Sequence, residues 1–168
     1  MAGDKSSSHA RRREGWDTDS GHRDRTGKAI PALESDIRLT LPARAENVAV
    51  VRHVLGALAE ALDLPCALIE DMRLAVTEAC TNVVRHAYAG GDGTIDVVVR
   101  PRGDDLEVIV EDTGRGIGPS PDTAGPGLGL PLIAALADSL EIQRSASAGS
   151  RLVMSFLRTR DEPAMGLA

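Results

Sequence analysis

Three short segments of the chain carry residue types at spacings that suit chemistry. In LAVTEACTNVVRHAY, Glu78 and Asn82 stand four positions apart, so on a helix they share a face. A carboxylate and an amide oxygen on one face suit a hard cation such as Mg2+, which takes few protein oxygens and fills its shell with phosphate and water. The carboxylate can also orient or deprotonate an attacking hydroxyl. A lone Glu/Asn pair reads equally as a solvated polar face. In Asp112-Thr113-Gly114-Arg115-Gly116-Ile117, a carboxylate ends a strand and glycines follow. That carboxylate can accept a hydrogen bond from an exocyclic amine such as adenine's, and burying it without a donor is costly. The same composition serves an ordinary turn after an edge strand. In Gly125-Pro126-Gly127-Leu128-Gly129-Leu130, glycines open a helix. Free N–H groups at a helix start make an anion site, and glycines let phosphate come close; the other reading is a flexible linker. The spacing is not the dinucleotide fingerprint, and the chain holds no Gly-Lys-Ser/Thr phosphate loop.

These segments need elements to position them. DIRLTL at 36–41 alternates and predicts a strand. After Pro42, the spacing of Val48, Val51, Leu55, Leu58 and Leu62 predicts a helix over 43–62, ending near Asp63-Leu64-Pro65. A second helix is predicted from Pro65, which suits a first turn, to about Ala87. Its apolar stripe is Ile69, Met72, Val76, Ala79, Val83 and Ala87. Asp71, Ala75, Glu78, Asn82 and Arg85 form a second stripe roughly a third of a turn away. Arg85 can reach phosphate from that stripe, but a surface ion pair is its default. Two alternating segments, 94–100 and 105–112, read as an antiparallel hairpin, with Asp112 continuing the face of Leu106, Val108 and Val110. A Gly/Pro-rich loop leads to a third helix over 128–139, and strands at 140–144 and 151–158 close the domain. The order β-α-α-β-β-α-β-β predicts an α+β fold. Its economical packing is a two-layer sandwich: a mostly antiparallel five-stranded sheet with three helices on one face. The other face of the sheet is left wet or free for an interface.

Composition bounds the partners. The 168 residues suffice for one domain with a core plus tails. Residues 1–34 are polar and read as a disordered tail, 35–160 as the domain, and 161–168 as a C-terminal tail. Aromatic content of 2% excludes a stacked-aromatic reader of single strands. The formal net charge of −6 argues against direct nucleic-acid or membrane binding. Cys66 and Cys80 fall in apolar helical patterns and read as small buried hydrophobes, not as a disulfide. With no secretory signal and no membrane-length apolar run, the expected location is cytoplasmic.

Taken together, the three segments resemble the GHKL ATPase superfamily. EACTN looks like its N box, DTGRG its first glycine box and GPGLGL its second, while Gly149-Ser150 lies where the family often has Gly-Thr. The resemblance spans about residues 37–157, and AVTEACTNVVRHAY with GLGLPLIAALAD is most similar to the bacterial anti-sigma-factor serine kinases. It implies a Bergerat-type ATP-binding fold, with ATP and Mg2+ as cofactors. By matching position, Asn82 would bind the metal and Glu78 would be the base or water-orienting carboxylate. Asp112 would read adenine, and Gly114 and Gly116 would border the base. Gly125, Gly127, Leu128 and Gly129 would cradle phosphates, and Ser150 would keep the family's hydroxyl.

The resemblance further implies a serine/threonine-protein kinase that phosphorylates an anti-sigma-factor antagonist and otherwise sequesters a sigma factor; relatives often form homodimers. One departure matters. The lid between the glycine boxes is only residues 118–124 and carries no basic residue, whereas phosphoryl transfer depends on positioned positive charge. The alternative is therefore a non-catalytic, ATP-gated binding module. A detached histidine-kinase domain ranks lower, because no helix pair bearing an acceptor histidine precedes the domain.

Overall fold

The computed structural model describes residues 36–116, 128–145 and 149–158. The two tails, the lid and the glycines that follow it, including Gly125 and Gly127, lie outside the described residues. The elements follow the expected order: β1 (Ile37–Pro42), α1 (Ala45–Ala61), α2 (Cys66–Asn82), β2 (Thr94–Arg102), β3 (Asp105–Asp112), α3 (Gly129–Leu136), β4 (Ser139–Arg144) and β5 (Ser150–Leu157). The strands form one five-stranded sheet in the order β1-β2-β3-β5-β4. Every adjacent pair is antiparallel. α2 packs against α1 on one side and α3 on the other.

The core lies between that helix layer and one face of the sheet. Ile95, Val97 and Val99 of β2, Leu106, Val108 and Val110 of β3, and Leu152, Met154 and Phe156 of β5 join one buried cluster with Leu68, Met72, Val76 and Ala79 of α2. The strict alternation along each strand produces this face. The one phenylalanine of the chain, Phe156, is fully buried, and aliphatic side chains supply most of the rest. α1 contributes Val51, Leu55 and Ala59, and Leu62 joins them just past its end, with Val48 and Leu58 packed partly against the cluster. It ends because Asp63 takes a left-handed conformation, φ 53°. The Leu64 N–H then returns to the Ala59 carbonyl at 3.1 Å, a closure that satisfies a terminal carbonyl.

The opposite face of the sheet is mostly charged. Arg100 pairs with Asp36 at 3.3 Å and with Glu107 at 3.5 Å, and Arg151 pairs with Glu111 at 2.8 Å. Val98 and Ile109, directly opposite each other on β2 and β3, are 2% and 0% exposed yet lie outside the core cluster.

Two readings of the sequence need correction. Ala75, assigned to the polar stripe of α2, is fully buried and belongs to the same cluster as Ile133 of α3. α3 packs on that side of α2 and covers part of the polar stripe. Cys66, taken for a buried hydrophobe, is exposed at the first turn of α2, whereas Cys80 is buried as expected. Burial pushes the Cys80 thiol up to about 12, because a thiolate there would lose its hydration.

Candidate functional site

The candidate site forms where the C-terminal half of α2 meets the end of β3 and the start of α3. Glu78 and Asn82 lie one helical turn apart on α2, both half-buried. Neither side chain makes a hydrogen bond or ion pair among the described residues. The first residue of α3 lies directly over them. A Cβ on Gly129 would meet Glu78 Oε1 at 2.5 Å and Asn82 Nδ2 at 3.1 Å. Glycine there lets the start of α3 approach both side chains. Pro131 follows within the first turn of α3, where its missing N–H costs nothing. Leu128 is the N-cap residue, with φ −80° and ψ −9°; its side chain is 63% exposed and its carbonyl accepts the Leu132 N–H at 2.9 Å. Backbone rather than side chain is what Leu128 presents to the site.

Asp112 closes the second side. It is the last residue of β3, only 2% exposed, and faces Ile95 across the hairpin. Its Oδ1 accepts the Gly114 N–H at 2.8 Å, which is its one hydrogen bond among the described residues. Extending the β3–β5 register one step past Glu111 and Arg151 sets Ser150 beside Asp112 on the core face, and Ser150 is buried. Gly149 packs on the Asp112 backbone so closely that a Cβ would collide with the Asp112 carbonyl oxygen. Gly116 has φ 77°, a conformation open to glycine at little cost. Gly114 lies against the Ala87 carbonyl with no room for a Cβ.

The predicted residues that are described thus form two groups, Gly129 over Glu78 and Asn82, and Gly149 and Ser150 beside Asp112, with Gly114 against Ala87 of the turn that follows α2. Asn82 and Glu78 come from α2, Leu128 and Gly129 from the start of α3, Asp112 from the end of β3, Gly114 and Gly116 from the turn after it, and Ser150 from β5. Arg85 does not behave as expected. It is exposed, and no ion pair holds it among the described residues. It falls in a segment that the periodicity did not reveal, because residues 83–87 form a π-helical turn rather than more α-helix. The wider turn shifts the register of every later side chain, and such turns recur at functional sites.

The sequence reading also gave no role to Tyr88 or Arg115. Arg115 fastens the β3 turn to the π-helical segment: its Nε donates to the His86 carbonyl at 2.6 Å and its N–H to the Ala87 carbonyl at 3.0 Å. Those carbonyls end a helix and would otherwise lack partners. Tyr88 joins the same junction from the other side. The only foresign was the His86-Ala87-Tyr88 ending of the N-box segment, and spacing alone attaches no partner to it.

The donor chemistry fits a magnesium nucleotide. No cluster of three or more His, Cys, Asp or Glu side chains that could hold a metal occurs among the described residues. A cation here would therefore draw on Asn82, on the neighbouring carboxylate and on its own phosphates and water, as Mg2+ does in nucleotide sites. No described helix is long and apolar enough to cross a membrane.

Comparison with known proteins identifies the family. Residues 41–156 match the histidine kinase-like ATPase domain. The chain is 38% identical over 122 residues to the serine-protein kinase RsbW of Bacillus cereus, an overlap covering 63% of this chain and 76% of the relative. It is 38% identical over 141 residues to the serine-protein kinase RsbW of Halalkalibacterium halodurans, covering 75% of this chain and 85% of the relative. A solved structure of RsbU and RsbW domains from Mycobacterium tuberculosis superposes with a TM-score of 0.59 at 23% identity. That overlap covers 76% of this chain and 33% of the solved chain, and it bears on the fold alone. The chain belongs to the histidine kinase-like ATPase family, in its anti-sigma-factor serine-protein kinase branch.

Proposed function

We propose that this protein uses Mg2+ and ATP to phosphorylate a serine or threonine of a small anti-sigma-factor antagonist, and that it binds and silences a sigma factor when the antagonist no longer competes. Asn82 holds the metal through its amide oxygen. Glu78 orients or takes the proton of the acceptor hydroxyl. Asp112 accepts the amine of adenine, with Gly114 and Gly116 bordering the base and Ser150 beside the carboxylate. Gly125, Gly127, Leu128 and Gly129 offer backbone N–H groups to the phosphates. The metal, when bound, neutralises charge on the transferred phosphoryl group. Phosphorylation places about −1.5 to −2 charges on the antagonist surface and so weakens its grip.

The observation that carries this reading is the approach of Gly129 to Glu78 and Asn82. It joins the anion-binding helix start to the carboxylate and amide in one site, as transfer to a hydroxyl requires. Homodimerisation, usual among relatives, and a cytoplasmic location accompany the reading.

The test is phosphotransfer from γ-labelled ATP, with Mg2+ and a lysate of the source cell, beside Glu78→Ala. Acid-stable label on a small protein, absent with Glu78→Ala, is the expected result. ATP binding without any label would instead assign a nucleotide-gated binding module, in keeping with the uncharged lid.

A further inference from the structure

Tyr88 follows the π-helical turn, and its hydroxyl stands where three elements meet. It donates to the Thr94 carbonyl at 2.6 Å and accepts the Thr94 N–H at 3.2 Å. It also accepts the Thr113 N–H at 3.1 Å and lies 3.3 Å from Thr113 Oγ1. Thr94 opens β2 and precedes Ile95, the residue opposite Asp112; Thr113 follows Asp112 directly. One hydroxyl therefore ties the residue after Asp112 and the facing start of β2 to the π-helical turn that continues α2. The ring packs where a side chain at residue 93 would stand, so Gly93 is required for the ring to reach. Arg115, through the His86 and Ala87 carbonyls, fastens the far end of the same turn.

We propose that Tyr88 and Arg115 are positioning residues for base selection: together they fix where the Asp112 carboxylate stands relative to the helix that carries Asn82. The proposal rests on the reading that Asp112 takes the adenine amine and Asn82 the metal. A nucleotide bound at both ends spans a set distance, so the carboxylate must be held at one depth along it. Adenine presents an amine donor where guanine presents a carbonyl acceptor. A carboxylate held in place accepts from the first and repels the second. Once the turn drifts, water replaces the amine contact and the discrimination fades. The braces touch neither base nor phosphate and act only through Asp112.

The test is titration of the full chain with Mg·ATP and Mg·GTP, well below the melting temperature. Tyr88→Phe keeps the ring on Gly93 and removes only the hydroxyl. ATP affinity is expected to fall roughly tenfold, the scale of one misaligned hydrogen bond, while GTP affinity holds, so the ATP-over-GTP ratio narrows by the same factor. Arg115 is exposed; Arg115→Lys keeps the charge and the backbone donor but loses the Nε brace, and the ratio is expected to narrow several-fold. An unchanged ratio in the folded variants overturns the proposal and leaves Tyr88 a structural residue whose loss lowers the melting temperature alone. Should Tyr88→Phe not fold, Arg115→Lys decides. Asp112→Ala in the otherwise unaltered chain separates the two readings: intact ATP affinity there removes the adenine assignment itself, independently of either brace.

Discussion

Asn82 and Asp112 stand at opposite ends of the proposed nucleotide site, and their chemistry separates them experimentally. Asn82 offers an amide oxygen, a neutral ligand suited to a cation. Asp112 offers a buried carboxylate already holding one backbone N–H, from Gly114. Its second partner must be a donor, because a buried carboxylate left short of donors is costly. Asn82→Ala is expected to weaken ATP binding in Mg2+ and to leave it unchanged in chelator. Asp112→Ala is expected to weaken it about 10–100-fold in both, since hydrogen bonds to charged groups contribute roughly 1.5–3 kcal/mol. Calorimetric titration in the two media reads both variants. An Asn82→Ala loss that persists in chelator would remove Asn82 as the metal ligand. The two cysteines show why one residue was legible and its neighbour was not. Both fit apolar patterns, yet Cys66 occupies the first position of α2, where the helix has only begun to face the core.

At the scale of elements, glycine placement decides how α2, α3 and β3 approach one another. Gly129 and Gly114 make a contrast. A Cβ at 129 meets the far ends of Glu78 and Asn82, side chains that can swing away; a Cβ at 114 meets the backbone of Ala87, which cannot. Gly129→Ala is therefore expected to keep or slightly raise thermal stability, since alanine favours a helix by up to about 1 kcal/mol over glycine. It should lower phosphotransfer at least about tenfold, because the carboxylate is displaced and misplacement of reacting groups is costly. Gly114→Ala is expected to destabilise by about 1–3 kcal/mol, the usual scale of forced overpacking. Thermal melts beside phosphotransfer rates distinguish the pair; equal loss of stability in both would mean that Glu78 cannot move. The strands were legible to within two residues at their ends, because alternation of Val, Ile and Leu with polar residues leaves little freedom in register. The helices were legible in position but not in detail. The π-helical turn over Val83–Ala87 leaves the apolar periodicity nearly intact, so the sequence pattern does not reveal it. Ala75 is compatible with either face, and the neighbour that buries it, α3, is distant in sequence. The Tyr88 junction was illegible for the same reason: its partners Thr94 and Thr113 are defined only once the sheet has formed.

Among the described elements, α2 is the shared member: it packs on α1, on α3 and on the sheet, and it carries Glu78 and Asn82 of the proposed site. Cys80 lies on it between Glu78 and Asn82 in sequence but faces the core, fully buried. Its thiol stays protonated at neutral pH, with burial pushing it up to about 12 from 9.0, and the thiolate is the reactive form. Between those values the unfolded chain has lost a proton that the folded chain keeps, so this group's share of stability is complete below about pH 9 and is lost as pH rises toward 12. At pH 8, iodoacetamide should modify exposed Cys66 promptly and Cys80 only when α2 leaves the core. The slow phase then measures opening of the whole domain. Nucleotide that binds only the folded chain lowers the open population by mass action, by about 100-fold at a hundred times its dissociation constant. Mg·ATP at that level is expected to slow Cys80 labelling by the same factor and to leave Cys66 unaffected. Mass spectrometry of the two cysteine peptides over time makes the measurement. A Cys80 rate insensitive to nucleotide would show that α2 can open without dismantling the proposed site, and that core packing and nucleotide binding are not linked.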